Sequence, residues 1–194
     1  MTTLVSDIKI QQGATFAKTW NWYGGGKICR EVSSIDTGCP TTLTTAAHLL
    51  PTGDTPVYLE ARGARELDTK GKEVLATYVS ATEFSVPINT LGKTYSSPSV
   101  VMSYYAPKGL TGYIARMSIR ENIDDTTAIL ELTSAGGDIT ITLANAAVTV
   151  TISATVTATL DFEEAFFDLE LEDTGGVVTR LVEGKVLLSD EVTR

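Results

Sequence analysis

The sequence predicts an all-β protein: one β-sandwich interrupted by a smaller inserted β lobe. Three observations carry this. Period-two alternation of apolar and polar residues dominates, while the 3.6-residue period of helices is nearly absent. Thr and Val are abundant, as pleated, half-buried surfaces require. Finally, the texture changes after Gly24, Gly25 and Gly26 and returns after Gly109. At 194 residues the chain is long enough to bury a core in one large β domain or two small ones.

Taken in order, Asp7–Ile10 alternates with Ile8 and Ile10 on one face. Ala14–Tyr23 follows, with Phe16, Trp20 and Trp22 on one face and Thr15, Thr19 and Asn21 on the other. The three glycines then form a loose joint. In the insertion, strands are expected near 28–34, 41–45, 55–60, 74–79, 83–87 and 100–105, with turns at Pro51–Asp54 and Ala106–Gly109. Beyond it, Tyr113–Arg120 places Tyr113, Ala115, Met117 and Ile119 inward, and Arg116, Ser118 and Arg120 outward. Asn122–Thr126 is a polar loop, Ala128–Thr133 a strand, and Ala135–Asp138 a turn. Ile139, Ile141 and Leu143 alternate with Thr140 and Thr142; Val148, Val150 and Ile152 alternate with Thr149 and Thr151. The Ala144–Ala147 linker makes these two runs a hairpin. Ser153 can cap one or two helical turns over residues 153–160. Phe166–Glu172 turns Phe167, Leu169 and Leu171 inward and Asp168, Glu170 and Glu172 outward. A turn at Asp173–Gly176 leads into the final strand, Val177–Arg194. Neither the early strands nor the late ones can bury a face alone. The economical assembly is a discontinuous sandwich of residues 1–25 and 109–194, with residues 26–108 as an inserted small barrel or sandwich.

Composition narrows the function classes. Apolar residues make up 43%, so disorder is not expected. Fifteen basic and 24 acidic residues give a net charge of −9, which repels phosphate backbones. No basic cluster interleaved with aromatics points to nucleic acid. No run of 18 apolar residues suggests a membrane span, and MTTLVSDIKI lacks the pattern of a signal peptide, so synthesis in the cytoplasm is expected. Cys29 and Cys39 could bridge adjacent strands or stay reduced. Without a neighbouring Cys/His pair they do not make a zinc site.

Several segments resemble a module of tailed-phage and prophage tail or baseplate proteins: QQGATFAKTWNW (11–22), LTGYIARMSIR (110–120), AILELTSAGGDITI (128–141), ISATVTATL (152–160) and FFDLELEDTGGVVTRLVEGKVLLSDEVTR (166–194). The joint pattern is similar to the immunoglobulin-like β-sandwich found as the N-terminal domain of baseplate upper proteins, and covers about 110 residues. The family module runs directly from its Trp strand into the Leu-Thr-Gly-Tyr strand; here the insertion separates them. Within it, TTAAHLLPTGDTPVYLEARG (44–63) and ATEFSVPINTLGKTY (81–95) resemble a small phage β-barrel with a His-x-Leu-x-x-Gly-Asp turn. That barrel is in turn weakly similar to one inserted in ubiquitin-activating enzymes. The resemblance implies fold, with no phosphate loop or catalytic cysteine context to carry over.

The candidate chemistry is sparse. His48, the single histidine, sits before a Pro-Thr-Gly-Asp turn, which suits a turn-stabilising hydrogen bond better than a catalytic triad. Glu163, Glu164, Asp168, Glu170, Glu172 and Asp173 form the densest acidic run. Carboxylates there could serve glycoside hydrolysis or calcium, but Asp168, Glu170 and Glu172 share a strand face opposite Arg116, Arg120 and Arg180. Cross-strand ion pairs are the expected reading. Trp20, Trp22 and Tyr23 could stack on sugars, although alternation with Phe16 makes the tryptophans core. Tyr104, Tyr105 and Tyr113 could seal the junction of the two lobes. The function expected from the resemblance is a non-enzymatic structural component of a virion, made in the host cytoplasm. It would need no cofactor and would act through contacts with other tail, baseplate or fibre proteins in a multi-copy assembly. A receptor- or carbohydrate-binding module at the tail tip, or a head or neck decoration protein, are the alternatives.

Overall fold

A computed structural model describes residues 3–96 and 98–190; the Glu-Val-Thr-Arg ending of the expected last strand lies outside them. The protein is all-β and divides into two compact units, residues 1–22 with 109–194, and residues 23–108. Strands β1 (Leu4–Val5), β2 (Ile8–Gln11) and β3 (Phe16–Asn21) open the first unit. The second contains β4 (Lys27–Asp36), β5 (Thr41–Thr45), β6 (Asp54–Arg62), β7 (Val74–Tyr78), β8 (Glu83–Val86) and β9 (Ser99–Tyr105). The first resumes with β10 (Ile114–Arg120), β11 (Leu130–Thr133), β12 (Ile139–Thr142), β13 (Ala147–Ile152), helix α1 (Ala154–Thr157), β14 (Glu164–Glu172) and β15 (Val178–Ser189).

The discontinuous unit is a sandwich. One sheet runs β1-β15-β14-β10-β11, with β2 also on β15; the other runs β12-β13-β3. The last strand is therefore interior: β14 pairs antiparallel on one side, while β1 and β2 pair parallel on the other. Alternation sends Ala115, Met117, Ile119, Phe167, Leu169 and Leu171 inward, against Trp20, Trp22, Val148, Val150 and Ile152 of the opposite sheet. The Trp20 and Phe167 rings meet across the layers at 6.1 Å, and Trp22 takes the edge of Tyr113 at 6.1 Å. Helix α1 is a single turn, with the Ser153 hydroxyl accepting from the Val156 amide. The Thr157 hydroxyl ties it to the Ala14 carbonyl at 2.8 Å.

Two details of this unit differ from the alternation. Leu143 is 53% exposed rather than inward, because the chain leaves β12 into a 3-10 turn, Leu143–Asn145, that swings it outward. In β15, Leu181 and Val182 are both buried: a β-bulge opposite Leu169 and Glu170 lets two consecutive apolar residues enter the core. Arg180 and Glu183, three apart, consequently share the outer face.

The continuous unit is a closed barrel, β4-β5-β8-β7-β6-β9, with Leu43, Val57, Leu59, Phe84, Met102 and Tyr104 in its core. β4 closes it by pairing with β9 over Lys27–Glu31 and with β5 from Val32 onward, the latter pairing bulged between Val32 and Ser34. The glycine run is pinned rather than loose. The Gly25 amide bonds the Ala106 carbonyl and the Ala106 amide bonds that of Gly26, and a Cβ at Gly25 would lie 2.7 Å from the Ala106 oxygen. The unit accordingly begins at Tyr23.

Buried His48 organises one end of the barrel. Its Nδ1 accepts from the Leu50 amide at 3.0 Å, so its proton sits on Nε2, which faces the carbonyls of Ser80 at 2.7 Å and Glu83 at 3.1 Å. The Tyr104 hydroxyl donates to the His48 carbonyl at 2.7 Å, and Asp54 accepts from the Thr77 hydroxyl. The His-x-Leu-x-x-Gly-Asp stretch is thus a structural knot joining the start of β6 to the β7–β8 turn. Tyr104 belongs to the barrel core and Tyr113 packs on the sandwich core.

Candidate functional site

On the outer face of the larger sheet, the register of three strands sets side chains in rows. Arg116, Glu170 and Arg180 form one row across β10, β14 and β15. Ser118, Asp168 and Glu183 form the next. Arg120, Phe166 and Lys185 form the third. The middle row sets two carboxylates directly opposite each other, an arrangement that repels unless a cation intervenes. Arg180 supplies it. Displaced by the bulge, its guanidinium reaches Asp168 at 3.1 Å, Glu183 at 2.8 Å and Glu170 at 3.8 Å. A planar fork can serve several carboxylates in this way, where an ammonium would act as one point charge. Arg116 completes the ladder, 2.9 Å from Glu170 and 3.8 Å from Glu172.

Arg120 departs from the expected ladder. At the end of β10, its Nη1 donates to the carbonyl of Asp125 at 2.8 Å and ties down the following loop. Alternation places it on the acidic face, but the nearer partner is its own turn. The two cysteines also depart from a bridged pair: both are free and exposed. Cys29 lies near the start of β4 and Cys39 three residues past its end. The seven strand residues between Cys29 and Asp36 span about 23 Å, and three more can recover at most about 10 Å, so the Cα atoms cannot come within disulfide reach.

Above these rows lies a groove of about 470 Å³ lined by Val5, Asp7, Ser118, Arg120, Ile123, Phe166, Phe167, Asp168, Arg180, Glu183, Gly184 and Lys185. Its size falls among those of ordinary ligand and side-chain pockets. The sheet provides the floor. One wall is the Ser6–Asp7 joint between β1 and β2, which runs parallel beside β15 and approaches it most closely at Gly184: a Cβ there would stand 2.5 Å from the Ser6 carbonyl oxygen. The close approach is fastened by the Ser6 amide on the Glu183 carbonyl at 3.0 Å, and by Asp7 Oδ1 accepting from the Lys185 amide at 2.9 Å. The other wall is the β10–β11 loop, which presents Ile123. Val5 and Ile123 are 71% and 73% exposed, so the rim is apolar. Lys185 Nζ stands 5.7 Å from the Phe166 ring centroid and 2.7 Å from Glu164.

Burial pushes the Asp168 carboxyl up, against the pull of Arg180. Arg180 is shared with Glu183 and Glu170, whose own charges push Asp168 further up. The bond to Glu183 raises Arg180 itself. The carboxylates converge on a guanidinium rather than on an open point where a water or metal would sit. Among the described residues, no three His, Cys, Asp or Glu side chains form a metal-binding group. The lining carries three acids (Asp7, Asp168, Glu183) and three bases (Arg120, Arg180, Lys185), a balanced set in a chain of net charge −9. Such a lining suits a mixed apolar and polar protein segment better than a polyanion.

Alternation predicted the ladder residues Arg116, Arg180, Asp168, Glu170 and Glu172, but missed the walls. Val5, Asp7 and Ile123 come from short flanking segments. Phe166 is the one detectable signal: an aromatic on the outward phase of an otherwise acidic strand. No family model matches the chain, and no curated protein matches it.

Proposed function

We propose that this chain is a non-enzymatic structural component of a bacteriophage virion, an adaptor at the tail, baseplate or fibre-attachment region. It would assemble in many copies after synthesis in the host cytoplasm. The observation that carries the reading is where the phage-like segments fall. LTGYIARMSIR, FFDLELED and VVTRLVEGKVLLS lie on β10, β14 and β15, the strands that build the ion-pair ladder and the floor of the groove. These three strands, drawn from segments that resemble the immunoglobulin-like tail module, thus meet on one outer face, where their carboxylates are engaged by Arg116 and Arg180. The function is geometric: a neighbouring virion protein seats a segment in the groove, anchored by its apolar rim and oriented by Arg180 and Asp168. Mass spectrometry of particles purified from the phage or induced prophage that encodes the chain tests this. Stoichiometric recovery in mature particles supports it; absence from them refutes it. Binding of the purified protein to host cells or surface polysaccharide, with no virion partner, would favour a receptor-binding module instead.

A further inference from the structure

Apart from the two-residue β1, the sandwich has four edge strands among the described residues, and they are not equally guarded. β2 carries Lys9, and β3 carries Lys18 on the inner-face phase of Trp20. β11 carries Glu131, and the outward amide and carbonyl of its Thr133 are taken by Asp138. Charges of this kind are how sheet edges are kept from pairing. β12 has none: it reads Ile139-Thr140-Ile141-Thr142, and no charged residue occurs between Asp138 and Asp161. High β-propensity without charge or proline is the composition of a strand open to pairing.

The register shows which groups are available. The Thr151 amide bonds the Asp138 carbonyl, so the hydrogen-bonded pairs of β12 with β13 are 138–151, 140–149 and 142–147. The amide and carbonyl groups of Ile139 and Ile141 therefore point away from β13, toward the free edge. On the outer face, Thr140, Thr149 and Thr19 lie side by side across the three strands, with Thr19 and Thr149 hydroxyls bonded at 2.8 Å. Two copies of a chain with net charge −9 repel wherever acidic surfaces face each other. β12 and the threonine row beside it carry no charge, so two copies can meet there without setting acid against acid.

We infer that β12 pairs antiparallel with β12 of a second copy, about a twofold axis at Thr140, joining the two three-stranded sheets into one of six. In that register Ile139 of each copy exchanges both backbone hydrogen bonds with Ile141 of the other. The isoleucines extend the apolar inner face, and the two Thr140 side chains meet at the axis on the outer face. The pairing is isologous, so it closes at two copies. It stands whether or not the chain is a virion protein.

Sedimentation of the reduced protein from low micromolar to millimolar concentration should show a monomer of 20.7 kDa passing to twice that mass. Thr140→Lys places two lysines directly opposite each other and should weaken the dimer roughly tenfold or more. Its tryptophan fluorescence and unfolding midpoint should stay those of the parent. A second variant works in the opposite sense. In a Cys29→Ser, Cys39→Ser background, Thr140→Cys occupies a non-hydrogen-bonded pair, whose Cα separation of about 4.5 Å suits a disulfide. It should form a covalent dimer in air, and Thr149→Cys, one strand inward, should not. A wild type that stays monomeric throughout overturns the inference. So does a dimer that Thr140→Lys leaves intact while Thr140→Cys fails to cross-link.

Discussion

Gly184→Ala is the sharpest probe of how the groove is built. The added Cβ would lie 2.5 Å from the Ser6 oxygen, 2.8 Å from the Ser6 carbonyl carbon and 3.1 Å from Asp7 Oδ1. Two of these are backbone atoms and cannot swing aside, so the Ser6–Asp7 joint must lift from β15 while β2 stays paired. That forfeits the Ser6–Glu183 bond and the Asp7–Lys185 bond. Leu4 and Val5 are 51% and 71% exposed, so little apolar burial is lost with them. At roughly 0.5–1.5 kcal/mol per bond, the cost is about 2 kcal/mol. With a urea slope near 2 kcal/mol per molar, the midpoint falls by about 1 M. Tryptophan fluorescence is the assay: the chain has two tryptophans, Trp20 and Trp22, and both lie in the sandwich core. The signal therefore reports that unit. A midpoint within about 0.2 M of wild type would show that the segment does not rest on Gly184, and would remove one wall of the groove from the argument.

Four further outcomes are expected. Burial raises the Asp168 carboxyl, so the folded chain holds that proton more tightly than the unfolded one. The stability this confers is present below about pH 4 and is lost as pH rises through the raised folded value. Urea midpoints of wild type and Asp168→Asn across that range should therefore move in the variant's favour with rising pH, and a constant difference would contradict the shift. Arg180→Ala removes the cation from among three carboxylates. It should cost about 1 kcal/mol at low salt and less in about 1 M salt, and should raise the Asp168 titration seen by carboxyl NMR further. His48→Ala strands the buried Leu50 amide and the carbonyls it faces; a loss of about 3 kcal/mol should show in amide exchange at Leu43 and Phe84. Both cysteines should react with a thiol reagent in the native protein, giving the same count of two with and without prior reduction.

Alternation alone places nearly every strand, because each sheet is apolar on one side and solvated on the other. It also puts the ladder residues on one face. It fails where the backbone breaks period two. The adjacent Leu181 and Val182 conceal a bulge, and that bulge is what brings Arg180 over Asp168. Leu143 follows the alternating phase of β12 but lies in the turn beyond it. Arg120 is set outward correctly, yet at a strand end a local carbonyl competes with a cross-strand carboxylate. Alternation leaves the insertion open between barrel and sandwich for another reason: pairing β4 with β9 joins residues more than sixty apart, and no local pattern encodes such a bond, so the barrel is expected from the resemblance of residues 44–63 and 81–95. The groove needed both kinds of information, a face legible by period and walls fixed by tertiary contacts such as Ser6 beside Gly184.

The interior position of β15 also sets an order of assembly on the ribosome. The barrel strands are contiguous, so that unit can close soon after Tyr105 emerges. Ile8 and Ile10 have no sheet to join until the chain reaches Val186 and Leu188, and Trp20 has none until Val148. Through most of synthesis the earliest apolar segments wait for the latest, with a finished domain already folded between them. A ribosome stalled before residue 178 would release a folded barrel trailing two adhesive ends. Loss of β15 alone would leave β1 and β2 without a partner and bare one side of β14. The twelve residues of β15 decide whether β1 and β2 have anywhere to go.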